Sequence, residues 1–209
     1  MAPVMTWVMG LEEAKSGRMP TDAETKEICR IVGGAMDRGA CGWSAQRFGR
    51  NSVQADYDGT PMVTDLMHDE TVLALADVLG EGNKGFIQMS YIPDASKYEG
   101  DMQDHTERHY EDLARAAGRP ILYNAIAVND AHPERFRPQM HWIESCAGRG
   151  IRVYGQSATL EVGFLFTFKD WNLWDDMPEW REVTTGPIED RLMKLSDPER
   201  RPGLRKSAR

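Results

Sequence analysis

One pattern constrains this chain more than any other. An amphipathic helix, a glycine-bearing stop and a short apolar run recur four times in order. Ile28, Ile31, Val32 and Ala35 fall at i, i+3, i+4 and i+7, which is one face of a helix. Ahead of them, Thr21 and Glu24 have capping-box spacing, so each side chain can satisfy a free backbone N–H of the other. Gly39 stops this helix, and the run 40–46 follows. Val72, Leu75, Ala76 and Leu79 repeat the spacing ahead of Gly80, Gly82 and the run 85–92. Tyr110, Leu113, Ala114 and Ala117 precede Gly118 and the run 121–128. Phe136, Met140, Ile143 and Ala147 precede Gly148, Gly150 and the run 151–158. Glycine suits such stops because helices commonly close on a left-handed residue.

Apolar runs alternating with helices of this length imply parallel strands joined by right-handed crossovers, an α/β fold. Two architectures compete: a doubly wound sheet and part of a (β/α)8 barrel. No G-x-G-x-x-G follows a strand and no GxxxxGK[ST] occurs, so the nucleotide reasons for a doubly wound sheet are absent. The pattern itself gives about four parallel βα units plus C-terminal helices and leaves both architectures open. Residues 1–209 read as one domain, with a long βα loop at 47–65 and a helical segment at 170–209. In that segment Ile188, Leu192 and Leu195 share a face, and Asp197-Pro198 reads as an N-cap with a first-turn proline.

Charge and cysteine usage narrow the classes. Lys and Arg number 25 against 33 Asp and Glu, a net charge of −8, which lacks the basic footprint of a nucleic-acid binder. The one basic cluster, Arg200, Arg201, Arg205, Lys206 and Arg209, reads as a solvated tail. No apolar run approaches the ~20 residues of a membrane helix. The start, MAPVMTWVMG, lacks the basic n-region of a signal peptide. Cys29, Cys41 and Cys146 are odd in number, widely spaced and without a CxxC. They read as buried, reduced thiols of a cytoplasmic protein.

Ligands of parallel α/β folds meet the carboxyl ends of the strands. There the sequence offers Ser44 and Gln46, Gln88 and Ser90, Asn124, and Gln156 and Ser157. Buried amides need partners. They either converge on a polar small molecule or hydrogen-bond one another as strand caps. Asp58-Gly59 marks a turn in the long loop, a candidate binding loop. Ser44, Gln46, Asp58, Gln88, Asn124 and Gln156 are thus the candidate substrate-binding residues. His105 and His109 share i, i+4 spacing, but Glu107 is rotated away from the zincin position, so they read as a solvated helical pair. His68 lies near a helix start, His132 precedes a proline, and His141 reads as surface. Trp171, Trp174 and Trp180 read as anchors pinning the C-terminal helices to the core. No HxH, no three-ligand set, no Ser-His-Asp order and no GxSxG is present.

The run MDRGACGWSAQRFGRN (36–51) resembles the strand segment of the amidohydrolase superfamily, nearest to its N-acyl-D-amino-acid deacylase (D-aminoacylase-like) branch. The resemblance continues, in one order, through DYDGTPMVTD (56–65), ALADVLGEGNKGFIQMS (within 73–90), EDLARAAGRPILYN (111–124), GRGIRVYGQ (148–156) and PEWRE with DRLMKLSDPERR (within 178–201). It implies a (β/α)8 barrel, zinc or another divalent metal, and hydrolysis of an amide C–N bond in a small-molecule substrate such as an N-acyl amino acid. The family's HxH would lie before Met1 and its last catalytic Asp after Arg209. The family's middle-strand histidines would fall around 88–90 and 124–125, where this chain has none, so no family metal ligand maps onto it. The resemblance therefore implies a partial TIM-like (β/α)8 barrel, about four parallel βα units plus C-terminal helices, from the middle of an eight-unit plan of roughly 250 residues or more. A sheet edge is expected to be exposed and to pair with a second copy or a companion chain. The runner-up is a non-catalytic barrel fragment or subunit that binds a polar small molecule or a partner.

Overall fold

The computed structural model describes residues 1–50, 52, 54, 56, 58–93, 101–128, 133–158, 167–170, 174, 175 and 177–208. Three helices come first: α1 (Ala2–Met9), α2 (Leu11–Ser16) and α3 (Asp22–Asp37). The repeating part then runs β1 (Gly42–Arg47), α4 (Asp69–Glu81), β2 (Phe86–Tyr91), α5 (Met102–Ala117), β3 (Ile121–Asn124), α6 (Phe136–Gly148) and β4 (Val153–Gln156). The short helices α7 (Pro178–Thr184), α8 (Ile188–Ser196) and α9 (Arg201–Ser207) follow. No described helix is long and apolar enough to cross a membrane.

The described strands form one parallel sheet in the order β1-β2-β3-β4. This order is compatible with part of a barrel. A doubly wound sheet reverses its strand order at a switch point, which sends helices to both faces. Here the order never reverses, so crossovers of one hand keep the helices on one face. Burial agrees. Trp43, Ile87, Met89, Ile121, Tyr123 and Val153 are buried in the cluster that holds the α3–α6 stripes. The alternate positions form the other face, as a period of two requires. Ser44, Tyr154 and Gln156 there are exposed, and Gln46, Phe86, Gln88, Ser90, Leu122 and Asn124 are half-buried.

The helices show why the sequence signals worked and where they slipped. The Thr21–Glu24 capping box forms, and the stripes of α4 and α5 are buried as expected. In α3 the inward residue is Met36 rather than Ala35. In α6 the buried residues are Gln139, Trp142 and Cys146, whereas Met140 and Ala147 face out. The apolar spacing misled there because Gln139 and Trp142 carry polar atoms that bond inward, to Tyr123 and Glu111. Gly118 closes α5 in the left-handed region. Gly80 instead lies inside α4, where a Cβ would meet the Ala117 carbonyl at 3.0 Å, so it is required by helix packing.

The segment before α3, assigned no element from sequence, is helical and buries Met5 and Met9 in the core. The C-terminal anchors need correction. Trp174 and Trp180 stack at 4.7 Å, beside Phe168, and the Trp180 indole N–H donates to the Leu204 carbonyl. They bind the last helices to one another, since Val183 and Leu204 are buried outside the main core cluster. Trp171 lies outside the described residues. The basic run is not a tail: Arg200 pairs with Glu182, and α9 buries Leu204. Arg209 lies outside the described residues. The Asp197 cap forms as expected. Of the cysteines, Cys146 is buried, Cys29 half-buried and Cys41 exposed, all unpaired, so burial was correct for one of three.

Candidate functional site

The bare face of the sheet ends in the amides. The Gln88 Nε2 donates to Gln156 Oε1 at 2.7 Å, and the Asn124 Nδ2 donates to Ser90 Oγ at 2.7 Å. The Gln46 Nε2 donates to the Asp65 carboxylate at 3.1 and 3.3 Å, below the strand end. Asp65 also accepts from the Phe48 and Met62 backbone N–H groups, which anchors the loop that follows β1. Ser44 stands exposed on the same face. Thus the structure brings Gln88 to Gln156 and Asn124 to Ser90, and it commits Gln46 to loop support.

Asp58 is placed elsewhere. It accepts from Lys15 of α2 and from both the N–H and the hydroxyl of Thr60, and these donors hold its carboxyl down, to about 2, against the opposing effect of burial. The turn therefore clasps α2. Tyr57 of the same loop lies outside the described residues.

Each amide pairing uses only part of what an amide offers. A primary amide has two donors and an acceptor with two lone pairs. Gln88 Oε1, Gln156 Nε2 and Asn124 Oδ1 make no hydrogen bond among the described residues. Among the described residues the Gln88–Gln156 pair therefore presents an unpaired acceptor beside an unpaired donor, on a face reached by solvent.

Beside this face lies a residue that sequence reasoning missed. Arg47, the last residue of β1, is only 8% exposed. Its guanidinium donates to the Met67 carbonyl at 3.1 Å, to Asp69 at 2.8 Å and to His109 Nε2 at 3.3 Å, and it lies over the Tyr91 ring. Arginine can only donate, so His109 Nε2 accepts and its proton sits on Nδ1. His109 is thus no solvated helical partner of His105. It stacks on Tyr91 at 4.0 Å, and burial, followed by the neighbouring Arg47 charge, lowers its pKa to about 4. At neutral pH the ring is uncharged and its Nε2 is occupied, so it is a packing partner of Arg47. A charged residue at an inward strand position was the available signal. A cavity of about 340 Å3 opens beside Arg47, Asp65, His68 and Asp69. His68 there hydrogen-bonds the Gly17 carbonyl, and His141 is on the surface as expected. His132 lies outside the described residues.

A divalent metal needs charged or imidazole donors converging on one point. Among the described residues no three His, Cys, Asp or Glu side chains do so. The strand ends carry neutral amides and hydroxyls instead, which do not fit the metal implied by the resemblance. No family model, curated protein or solved structure matches this chain.

Proposed function

We propose that this chain forms the central part of an amidohydrolase-like barrel and binds the amide group of a small molecule on the open face of its sheet. The observation that carries this reading is the Gln88–Gln156 pair, in which Gln88 from the middle of β2 reaches Gln156 at the carboxyl end of β4, with one acceptor and one donor unpaired among the described residues. An amide presents the complementary N–H and C=O. Ser44 and Asn124 flank the pair on the same face, and Gln46 and Asp58 support it by fixing the adjoining loop. No residue is assigned as nucleophile, general base or metal ligand, because the donor set at the strand ends supplies none. That favours a second reading, in which the chain binds its ligand without cleaving it. The three unpaired thiols support a reducing, cytoplasmic setting.

Calorimetric titration with an N-acetyl amino acid tests binding. Gln88→Leu and Gln156→Leu should each weaken it about tenfold, the worth of one or two hydrogen bonds. Unchanged affinity in both variants would remove the proposal. Release of free amino acid by the wild-type chain, assayed with and without added zinc, separates the enzyme from the binding module.

The barrel reading also makes a prediction about association. Among the described residues nothing pairs with the outer edge of β4, and Tyr154 beside it is 52% exposed. An open parallel edge under a bare face favours a second copy or a companion chain. Sedimentation velocity should show a dimer or larger species. A single monomeric boundary across micromolar concentrations, with cooperative melting, would count against completion by a second copy.

A further inference from the structure

A second crevice lies at the helix side of the strand ends and does not involve the Gln88–Gln156 pair. It has a volume of about 530 Å3, and its lining includes Tyr91, Ile92, Met102, Tyr123, Asn124 and Gln139. The walls are mostly apolar or aromatic. Gln139 is the exception that matters. It projects from α6, is only 7% exposed, and its Nε2 donates to the Tyr123 hydroxyl at 2.8 Å. Its Oε1 is buried and accepts no hydrogen bond among the described residues. A buried amide oxygen without a donor is costly, by an amount that a bound donor would recover. Buried polar groups that lack a protein partner are the exception in folded chains and ask for an explanation.

The geometry points to this crevice as a binding site for a neutral molecule with an aromatic or apolar body and one hydroxyl or N–H donor, which Gln139 Oε1 receives. Tyr91 and Tyr123 contact the body, and an apolar wall gives area-proportional affinity without direction. The buried Gln139 Oε1 supplies the direction. The one charged residue of the lining, Arg135, is solvent-exposed, so the walls favour a neutral body. The Gln88–Gln156 pair does not line the crevice; Asn124 is the residue common to the two sites.

Phenol and fluorobenzene make the test, because they share a ring and differ in the donor. Titration of the full chain, followed by 19F line broadening for fluorobenzene and by ligand-observed NMR for phenol, should show phenol binding at least about tenfold tighter. Gln139→Leu should abolish that preference while leaving fluorobenzene affinity within about twofold. If this variant does not fold, the Gln139 side-chain amide resonances of the wild-type protein report the same contact. They should move with phenol and stay fixed with fluorobenzene. Equal binding of both probes, binding of neither, or unmoved Gln139 resonances would overturn the site and leave Gln139 Oε1 to a buried water only.

Discussion

Gly42→Ala is expected to lower the folding free energy by about 3–4 kcal/mol, a backbone clash being among the few mechanisms that produce losses of that size. Gly42 opens β1 and pairs with Phe86 of β2. A Cβ on it would lie 1.9 Å from the Phe86 carbonyl oxygen and 2.9 Å from the Phe86 carbonyl carbon. These are backbone atoms of the neighbouring strand, so no side chain can swing aside. The pairing of β1 with β2 must shift, and with it the register that puts Trp43 in the core and Ser44 on the open face. For a chain of this size the melting temperature should fall by roughly 10 °C. Gly118→Ala is the control. That glycine also has a positive φ, but no atom lies within 4 Å of its added Cβ, so only about 1 kcal/mol of conformational strain is expected. Similar melting temperatures for the two variants would show that strand contact at Gly42 is not what limits the fold.

The second large effect concerns the contact between α5 and α6. Glu111, 8% exposed, accepts from both Nη groups of Arg149 at 2.6 and 2.7 Å, from Arg115 at 2.7 Å and from the buried Trp142 indole N–H at 3.1 Å. In Glu111→Ala the two half-exposed arginines can turn to water, but the Trp142 N–H cannot. The expected loss is about 2–3 kcal/mol, from the charge-assisted bonds and the orphaned donor. The same donors, Arg149 foremost, hold the Glu111 carboxyl at about 2, against 4.5 for a free glutamate. A depressed folded-state pKa stabilises the fold above the unfolded value and is lost as pH falls through the folded one. The Glu111 contribution should therefore be intact above about pH 4.5 and fade toward pH 2, by up to about 3 kcal/mol. Urea melts at pH 7 and pH 3 of wild type and Glu111→Gln check this. Wild type should lose clearly more stability between the two pH values. Parallel losses would place the acid sensitivity elsewhere.

The two sites show what could be read in advance. The strand-end amides were legible because an amide in an otherwise apolar run breaks a one-dimensional pattern. Their pairing was not, since Gln88 and Gln156 lie on strands separated by β3 and meet only across the sheet. Gln139 was invisible and Arg47 was overlooked for a related reason. Both are polar residues turned inward, and periodicity assigns inward positions to apolar residues. His109 was misplaced because helical spacing gives its neighbours on α5 and says nothing of Tyr91 and Arg47, which come from two strands.

The sequence by itself determined the local elements. Stripe spacing, the Thr21 cap and the stop at Gly118 are governed by neighbours within a few residues, so they survive without knowledge of the whole. It also determined a parallel α/β fold, because each strand must be followed by a helix long enough to return to the same edge. Only the tertiary structure gave the strand order of the described sheet, since different windings use the same alternation and differ in order alone. That order sets Ser44, Tyr154 and Gln156 on one exposed face, and the fold brings Gln88 to Gln156 and Glu111 to Arg149 across 68 and 38 residues of chain. Contacts of that range depend on how the layers stack, a relation no local spacing encodes.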